Sequence, residues 1–122
     1  MTQYMLTNPH DSAEEPTMAD MDPAVLEALL AKTMAFLDDL RAQDALVFAG
    51  GLHPPSSAKT VDATGETPTV ENRPFVEADQ YVGGFWVIDV ANEEAAVEWA
   101  TRASEMLGGP IEVRAFQEIP DA

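Results

Sequence analysis

The strand signal at residues 85–90 is the feature that most limits what this chain can fold into. The segment reads FWVIDV and directly follows two glycines. Because side chains alternate between the two faces of a strand, Phe85, Val87 and Asp89 point one way and the residues between them point the other. Both faces are therefore largely apolar. This pattern predicts a central strand of a sheet that must be covered on both sides.

Two helices are predicted from apolar positions that recur every three or four residues. The first begins after Asp22, which caps the free amides, and ends near Gln43. The second begins after the cap Asn92 and ends at the Gly-Gly-Pro of residues 108–110. Thr33 is a polar residue on the apolar stripe of the first helix. The predicted stripes consist of Leu26, Leu29, Leu30, Leu37 and Leu40 in the first helix, and of Ala96, Trp99, Ala100, Ala103 and Leu107 in the second.

Three further strands and an accessory hairpin complete the predicted order of elements. The strands are predicted near residues 4–6, 45–52 and 111–116, and the hairpin within residues 58–72. The first strand is expected to end at Asn8 and Pro9, followed by an exposed loop over residues 10–22. The order β-α-β-hairpin-β-α-β predicts a single α+β domain of ferredoxin-like topology, with both helices on one face of an antiparallel sheet.

Two helices cover only one face of such a sheet. The other face would expose an apolar patch larger than soluble monomers normally tolerate. We expect a second copy to cover it in a two-fold homodimer, a dimeric α/β barrel-like assembly, through the face that bears Trp86 and Ile88 or through the opposite face. The alternative is that the hairpin or the 10–22 loop folds over this face.

The charge composition limits the partners of the protein. The chain has 22 acidic and 6 basic residues, a formal net charge of −16, and no cysteine. Such a surface repels phosphate backbones and anionic lipid headgroups, so neither nucleic acid nor a membrane is expected as a partner. The lack of cysteine excludes disulfides and thiolate catalysis. The sequence shows no secretory signal or spanning segment, and we expect a cytoplasmic protein without a metal ion or cofactor.

Five segments carry a family resemblance through their order and spacing. They are GGLHPP at residues 50–55, RPFVE at 73–77, VGGFWVID at 82–89, AAVEWA at 95–100 and IEVR at 111–114. Together they resemble the YCII-related superfamily, and within it the DGPF branch, which is named for an Asp-Gly-Pro-Phe segment. The resemblance covers residues 4–116 and implies a ferredoxin-like dimer. It also implies that enzymes occur among the relatives, because YCII-type members place a histidine and an aspartate at a pocket near the first helix, and one relative is a dehydrochlorinase of a chlorinated hydroxyquinol.

This sequence departs from the family pattern at the positions of that pair. Thr33 stands where many relatives carry the histidine, and the aspartate position falls at Ala42. The Asp-Gly of the naming motif is replaced by Asn72 and Arg73. A threonine cannot transfer protons at neutral pH as a histidine does. The acid/base pair of the family is therefore not carried over to this chain.

His53 and Arg73 are candidates for a binding or catalytic site, each with a plainer alternative. His53 follows a predicted strand, and it is either a general base or ligand contact, or a turn residue at the surface. Arg73 either binds a carboxylate or phosphate group of a small ligand or forms a salt bridge with Glu71, Glu77 or Asp79.

Three further residues extend the candidate ligand-binding site. Glu77 and Asp79 share one side of an extended segment, and they either act as a carboxylate pair or are solvated acids of a loop. Thr33 either lines a pocket between the first helix and the sheet or bonds to its own helix backbone. His10 falls in the predicted loop and is assigned no role.

Two functions are compatible with these residues. The first is a non-catalytic dimeric module that binds a small molecule or a protein partner, as the missing histidine–aspartate pair suggests. The second is a small lyase-like or hydrolase-like enzyme that uses His53 with Glu77 or Asp79 on a small polar or aromatic substrate. A pocket in which His53 and Arg73 converge would favour the enzyme, whereas side chains that point into solvent would favour the module.

Overall fold

A computed structural model describes residues 1–11 and 21–119, which form two α-helices and six strands. The elements are β1 (Thr2–Asp11), α1 (Pro23–Ala42), β2 (Leu46–Gly51), β3 (Thr60–Asp62), β4 (Thr69–Glu71), β5 (Gln80–Val90), α2 (Glu93–Leu107) and β6 (Glu112–Ala115). One antiparallel sheet has the strand order β2-β5-β1-β6, and β3 pairs with β4 as the predicted hairpin. The α+β prediction is confirmed, and the topology is consistent with the ferredoxin-like arrangement.

Both α-helices have the caps that the sequence predicts. A carboxylate oxygen of Asp22 accepts a hydrogen bond from the Ala24 amide at 2.9 Å. The side-chain oxygen of Asn92 accepts one from the Ala95 amide, also at 2.9 Å. At the end of α2, Gly108 adopts a φ of 75°, a left-handed conformation that glycine reaches without a Cβ clash.

The hydrophobic core lies between the two helices and one face of the sheet. Trp86, Ile88 and Val90 of β5 are buried on this face, as the alternation along the strand predicts. The buried apolar residues are Tyr4, Leu6, Phe36, Leu40, Ala45, Trp86, Ile88, Val90, Ala96, Ala100 and Ala103. Of the two sheet faces that were considered for a second copy, the one that bears Trp86 and Ile88 is thus covered by the chain itself.

The apolar stripe of α1 differs from the prediction in one important position. Phe36 is only 4% exposed, whereas Leu30, which was predicted to be buried, is 43% exposed. The Phe36 ring packs edge-to-face against Trp86 and Trp99, at centroid distances of 5.4 and 5.9 Å. The burial of Leu30 was predicted wrongly, because the stripe follows the spacing of Leu26, Leu29, Thr33, Phe36 and Leu40, which alternates strictly between three and four residues.

The two central strands are longer than predicted. β1 continues to Asp11 instead of ending at Asn8 and Pro9, so the prediction of a loop from His10 onward was wrong at its start. Residues 12–20 of that loop lie outside the described residues. The register shifts between Asn8 and Pro9, and a β-bulge is a place where a strand tolerates a proline because ladder hydrogen bonding is interrupted there. β5 likewise begins at Gln80, because it pairs with the extension of β1.

The turn after β3 contains a local hydrogen-bond pair. A carboxylate oxygen of Asp62 accepts from the Thr64 hydroxyl at 2.6 Å and from the Thr64 amide at 2.9 Å. These bonds, the hydroxyl bond foremost, hold the pKa of Asp62 below its ordinary value of 3.8. Because the pKa of Asp62 is lower in the folded state, the bonds from Thr64 stabilise the folded protein fully above pH 3.8. This stabilisation is lost as the pH falls through the folded-state pKa.

We expect the Thr64→Ala variant to raise the pKa of Asp62 toward its ordinary value, since the variant lacks the hydroxyl donor. A pH titration of the Asp62 side-chain carbon by NMR measures this directly. Thr67→Ala, which removes a hydroxyl from the same exposed turn, should leave the Asp62 pKa where it is. Equal Asp62 pKa values in all three proteins would contradict the assignment.

Candidate functional site

The residues predicted for a site belong to three different segments of the chain. Thr33 lies on α1 and is half-buried, whereas His53 follows β2 and is exposed. Arg73, Glu77 and Asp79 belong to the segment that leads into β5. No described residue forms a hydrogen bond or ion pair with the His53 ring. The pairing of His53 with an acid that the enzyme hypothesis requires is therefore not formed in this structure.

The Arg73 side chain is engaged within its own loop. It forms an ion pair with Glu71, the alternative that the sequence had left open. The same guanidinium donates to the carbonyl oxygens of Pro74 and Phe75 at 3.1 and 3.3 Å. The Thr60 hydroxyl also donates to the Arg73 carbonyl oxygen at 2.8 Å, so the residue ties this loop to the β3–β4 hairpin.

A groove between the two helices, which we call the helix groove, has a volume of about 300 Å³. It opens onto the solvent side of the helix layer, and its floor is the buried Phe36 ring. Its lining residues are Lys32, Ala35, Phe36 and Asp39 of α1, and Arg102 and Met106 of α2. None of the five residues predicted for a site lines this groove.

Arg102 connects the two walls of the helix groove. Its guanidinium forms an ion pair with Asp39 and thereby links α2 to α1. The guanidinium carbon also lies 4.6 Å from the centroid of the Trp99 ring and 5.8 Å from that of Phe36. Both distances are within the range of cation–π attraction, so the cation is held in place by aromatic rings as well as by charge.

Three of the six basic side chains of this acidic protein form an ion pair with an acid close to them in sequence. The ion pairs with neighbours in sequence are Arg41–Asp38, Arg73–Glu71 and Arg114–Glu112. Lys59 donates to the side-chain oxygen of Asn72 at 2.5 Å. Lys32, in contrast, has no ion-pair or hydrogen-bond partner among the described residues. The helix groove therefore holds two cations against one carboxylate, in a chain of net charge −16.

His10 is a feature of the sheet that the sequence did not reveal. Its Nε2 lies 3.2 Å from the side-chain nitrogen of Asn8, and its ring meets Tyr81 edge-on at a centroid distance of 5.6 Å. The ring occupies the space above Gly83, where an added Cβ atom would lie 2.3 Å from Nδ1. Both ring nitrogens thus face protein atoms, and we interpret His10 as a packing residue. The glycine pair before residues 85–90 was the available signal, since glycine in a strand often marks a close approach.

The sheet face opposite the helices, which we call the open face, is apolar at its centre. Alternation and strand register place Met5, Phe48, Phe85 and Val87 on it. The rings of Phe48 and Phe85 are 5.8 Å apart, and Phe48 is 60% exposed, so no described segment covers it. Asp89 lies on the same face, and its Oδ1 is buried without a hydrogen-bond partner among the described residues.

Two features are absent from the described part of the chain. No group of three or more histidine, aspartate or glutamate residues is arranged there to hold a metal ion. None of the described helices is both long enough and apolar enough to cross a membrane.

These features define an α+β protein with an apolar open sheet face and a basic groove between its helices. The family of the YCII-related domain matches residues 2–119, and the chain belongs to that family. The resemblance seen in the sequence is confirmed at this level. No curated protein matches the sequence.

Proposed function

We propose that this protein is a homodimeric binding module of the YCII-related family, in the DGPF branch, that takes a small molecule or a protein partner and is not catalytic. The observation that carries the proposal is the open face, where Phe48 is 60% exposed and the neighbouring Met5, Phe85 and Val87 are only partly covered. Soluble proteins rarely leave such a patch exposed unless it is an interaction surface. The two sheets would face one another in a dimeric α/β barrel-like assembly.

The chemistry of the open face favours a second copy of the chain as its occupant. The open face carries donors and acceptors together, because the ion-paired Arg114 and Glu112 of β6 lie on it beside Asp89 of β5. A two-fold interface presents the same patch from both sides, so each copy brings both the donor and the acceptor. Under the same symmetry, the apolar patch formed by Met5, Phe48 and Val87 packs against the same patch of the second copy.

The positions of His53 and Arg73 support the non-catalytic part of the proposal. The exposed His53 ring has no partner among the described residues that would orient it as a base, and general base catalysis needs a held geometry. The Arg73 guanidinium is engaged with Glu71 and two carbonyl oxygens of its own loop. No contact within residues 1–11 and 21–119 favours the enzyme alternative, and the cytoplasmic location stays a prediction from the sequence.

The test is the oligomeric state of the protein and of a variant with a charge on the open face. We expect sedimentation equilibrium to give twice the chain mass of 13.2 kDa for the unmodified protein. Phe48→Asp should weaken the dimer by about 100-fold, or roughly 2.7 kcal/mol, because it places an unpaired charge in an apolar interface. The monomer fold should survive, since Phe48 is 60% exposed.

Val61→Asp is the matched control for this substitution. Val61 lies on the β3–β4 hairpin and is 66% exposed, so it receives the same charge at a similar exposure away from the sheet. We expect it to remain dimeric. A mass of 13.2 kDa for the unmodified protein at the highest workable concentration would refute the dimer, and equal weakening by both substitutions would refute the open face as its interface.

A further inference from the structure

We propose that the groove between α2 and β6, which we call the edge groove, binds an extended basic peptide that adds a strand to the outer edge of β6. This inference rests on the proposed binding role and names the class of partner for it. It does not depend on the dimer, because the edge groove lies on the helix side of the sheet, whereas the proposed dimer uses the open face.

The backbone of β6 offers hydrogen bonds along its outer side. β6 ends the sheet, and among the described residues it pairs only with β1. The Phe116 amide donates to the Gln3 carbonyl oxygen at 2.9 Å, so the amides two and four residues earlier also point toward β1. The N–H and C=O groups of Val113 and Ala115 therefore point away from the sheet. An unpaired row of this kind is a template for another strand.

The edge groove lies directly beside this row and has a volume of about 360 Å³. Val97 of α2, Pro110 and Val113 are among the residues that line it. Val97 is 47% exposed, so its apolar surface is open to a partner. The Val113 side chain lies on the helix side, as does its buried neighbour Leu6 in β1. Because side chains alternate along a strand, every second side chain of an added strand would enter the groove.

The hydroxyl groups of the edge groove are already satisfied. The Thr101 hydroxyl donates to the Val97 carbonyl oxygen at 2.8 Å. The Ser104 hydroxyl donates to the Gly109 carbonyl oxygen at 2.6 Å. The groove therefore presents mainly apolar surface and selects aliphatic side chains at alternate positions of the peptide.

The outer wall of the edge groove selects a cationic partner. Glu105 is the only charged residue among those that line it. Glu94 and Glu98 lie on the same flank of α2, because residues four and seven positions apart share a helix face. All three carboxylates are exposed, and none forms an ion pair among the described residues. Arg102 belongs to the helix groove on the other flank, where it is paired with Asp39.

The peptide acetyl-KTVTVTK-amide is the probe for this site. Its valines and terminal lysines share one face of an extended strand, so the valines fill the groove while the lysines reach the glutamates. Titration of the full chain, followed by NMR, should shift the amide signals of Val113 and Ala115. Because β6 is short and the groove is open to solvent, we expect modest affinity that decreases as the salt concentration rises.

Two further peptides separate strand pairing from charge. N-methylation of both valines keeps the side chains and the charge but removes the N–H donors that antiparallel pairing uses, so it should weaken binding by about tenfold or more. The peptide acetyl-ETVTVTE-amide keeps the donors but reverses the charge. It should bind more weakly than the lysine peptide, since it faces the carboxylates of α2.

Val97→Ala should weaken binding of the lysine peptide about threefold to fivefold, because it removes apolar surface from the groove. Val25→Ala is its matched control on α1, since Val25 is 57% exposed and lies outside the groove. Glu105→Gln should weaken binding about threefold, as expected for one exposed charge. Glu27→Gln, at an exposed position of α1, should leave the affinity unchanged.

Amide hydrogen exchange tests the edge of β6 before any peptide is added. In the free protein, the Val113 and Ala115 amides should exchange about tenfold or more faster than the Arg114 amide, which points toward β1. The lysine peptide should slow both. Slow exchange of Val113 and Ala115 in the free protein would overturn the proposal, because another segment of the chain or a second copy would then occupy the edge.

Three binding results would also overturn the proposal. They are a lack of shifts at Val113 and Ala115, equal affinity for the lysine peptide and either control peptide, and equal weakening by Val97→Ala and Val25→Ala. A monomeric protein that still binds the lysine peptide would refute the dimer and leave the edge groove standing. A dimer that does not bind it would refute only the edge groove.

Discussion

Phe36→Ala is expected to lower the free energy of unfolding by about 3–5 kcal/mol, the usual range for a buried phenylalanine. The ring is 4% exposed and touches both tryptophans of the chain, at 5.4 and 5.9 Å between centroids. Its loss leaves a cavity between α1 and β5 that the surrounding side chains can fill only in part. Urea denaturation, followed by circular dichroism at one fixed protein concentration, measures the change.

Leu30→Ala is the matched control on the same helix. Leu30 is 43% exposed, so its truncation should change the free energy of unfolding by no more than about 1 kcal/mol. If Phe36→Ala does not fold, Phe36→Leu retains most of the buried volume and should cost about 1 kcal/mol. Equal losses for Phe36→Ala and Leu30→Ala would contradict the observed stripe of α1 and restore the stripe predicted from the sequence.

Gly83→Ala is expected to lower the free energy of unfolding by about 1–3 kcal/mol through overpacking. The new methyl group would lie 2.3 Å from Nδ1 and 2.5 Å from Cγ of His10, so the ring must leave its place. On moving, the ring gives up its contacts with Asn8 and Tyr81. The Cγ atom is near the backbone, so the strain cannot be relieved by the tip of a flexible side chain.

A double-mutant cycle with His10→Ala distinguishes this overlap from an effect on the backbone. Without the ring, Gly83→Ala should be neutral or slightly stabilising, because alanine loses less conformational entropy than glycine in a strand. The coupling free energy between the two sites should then be close to the full cost of Gly83→Ala. If the substitution costs the same in both backgrounds, the backbone conformation, and not His10, requires the glycine.

The site residues were harder to predict than the fold because their roles depend on distant contacts. Thr33 was correctly placed on the apolar stripe of α1, and the Arg73–Glu71 ion pair was among the stated alternatives. The helix groove was not predicted, because Arg102 meets Asp39 across 63 residues of chain. His10 was assigned no role because Pro9 indicated the end of the strand, and the bulge that accommodates Pro9 depends on β5.

The sequence by itself determined the order of the elements, the helix caps and which residues share a face of β5. These features depend on local rules: capping by Asp22 and Asn92, the left-handed glycine at 108, and the alternation of side chains along a strand. Only the tertiary structure decided that the helices cover the Trp86 face, that Phe36 replaces Leu30 in the core, and that β1 continues through Pro9. The physical reason is that each of these outcomes depends on packing between segments far apart in the chain. The local sequence pattern allows more than one outcome until those segments are in contact.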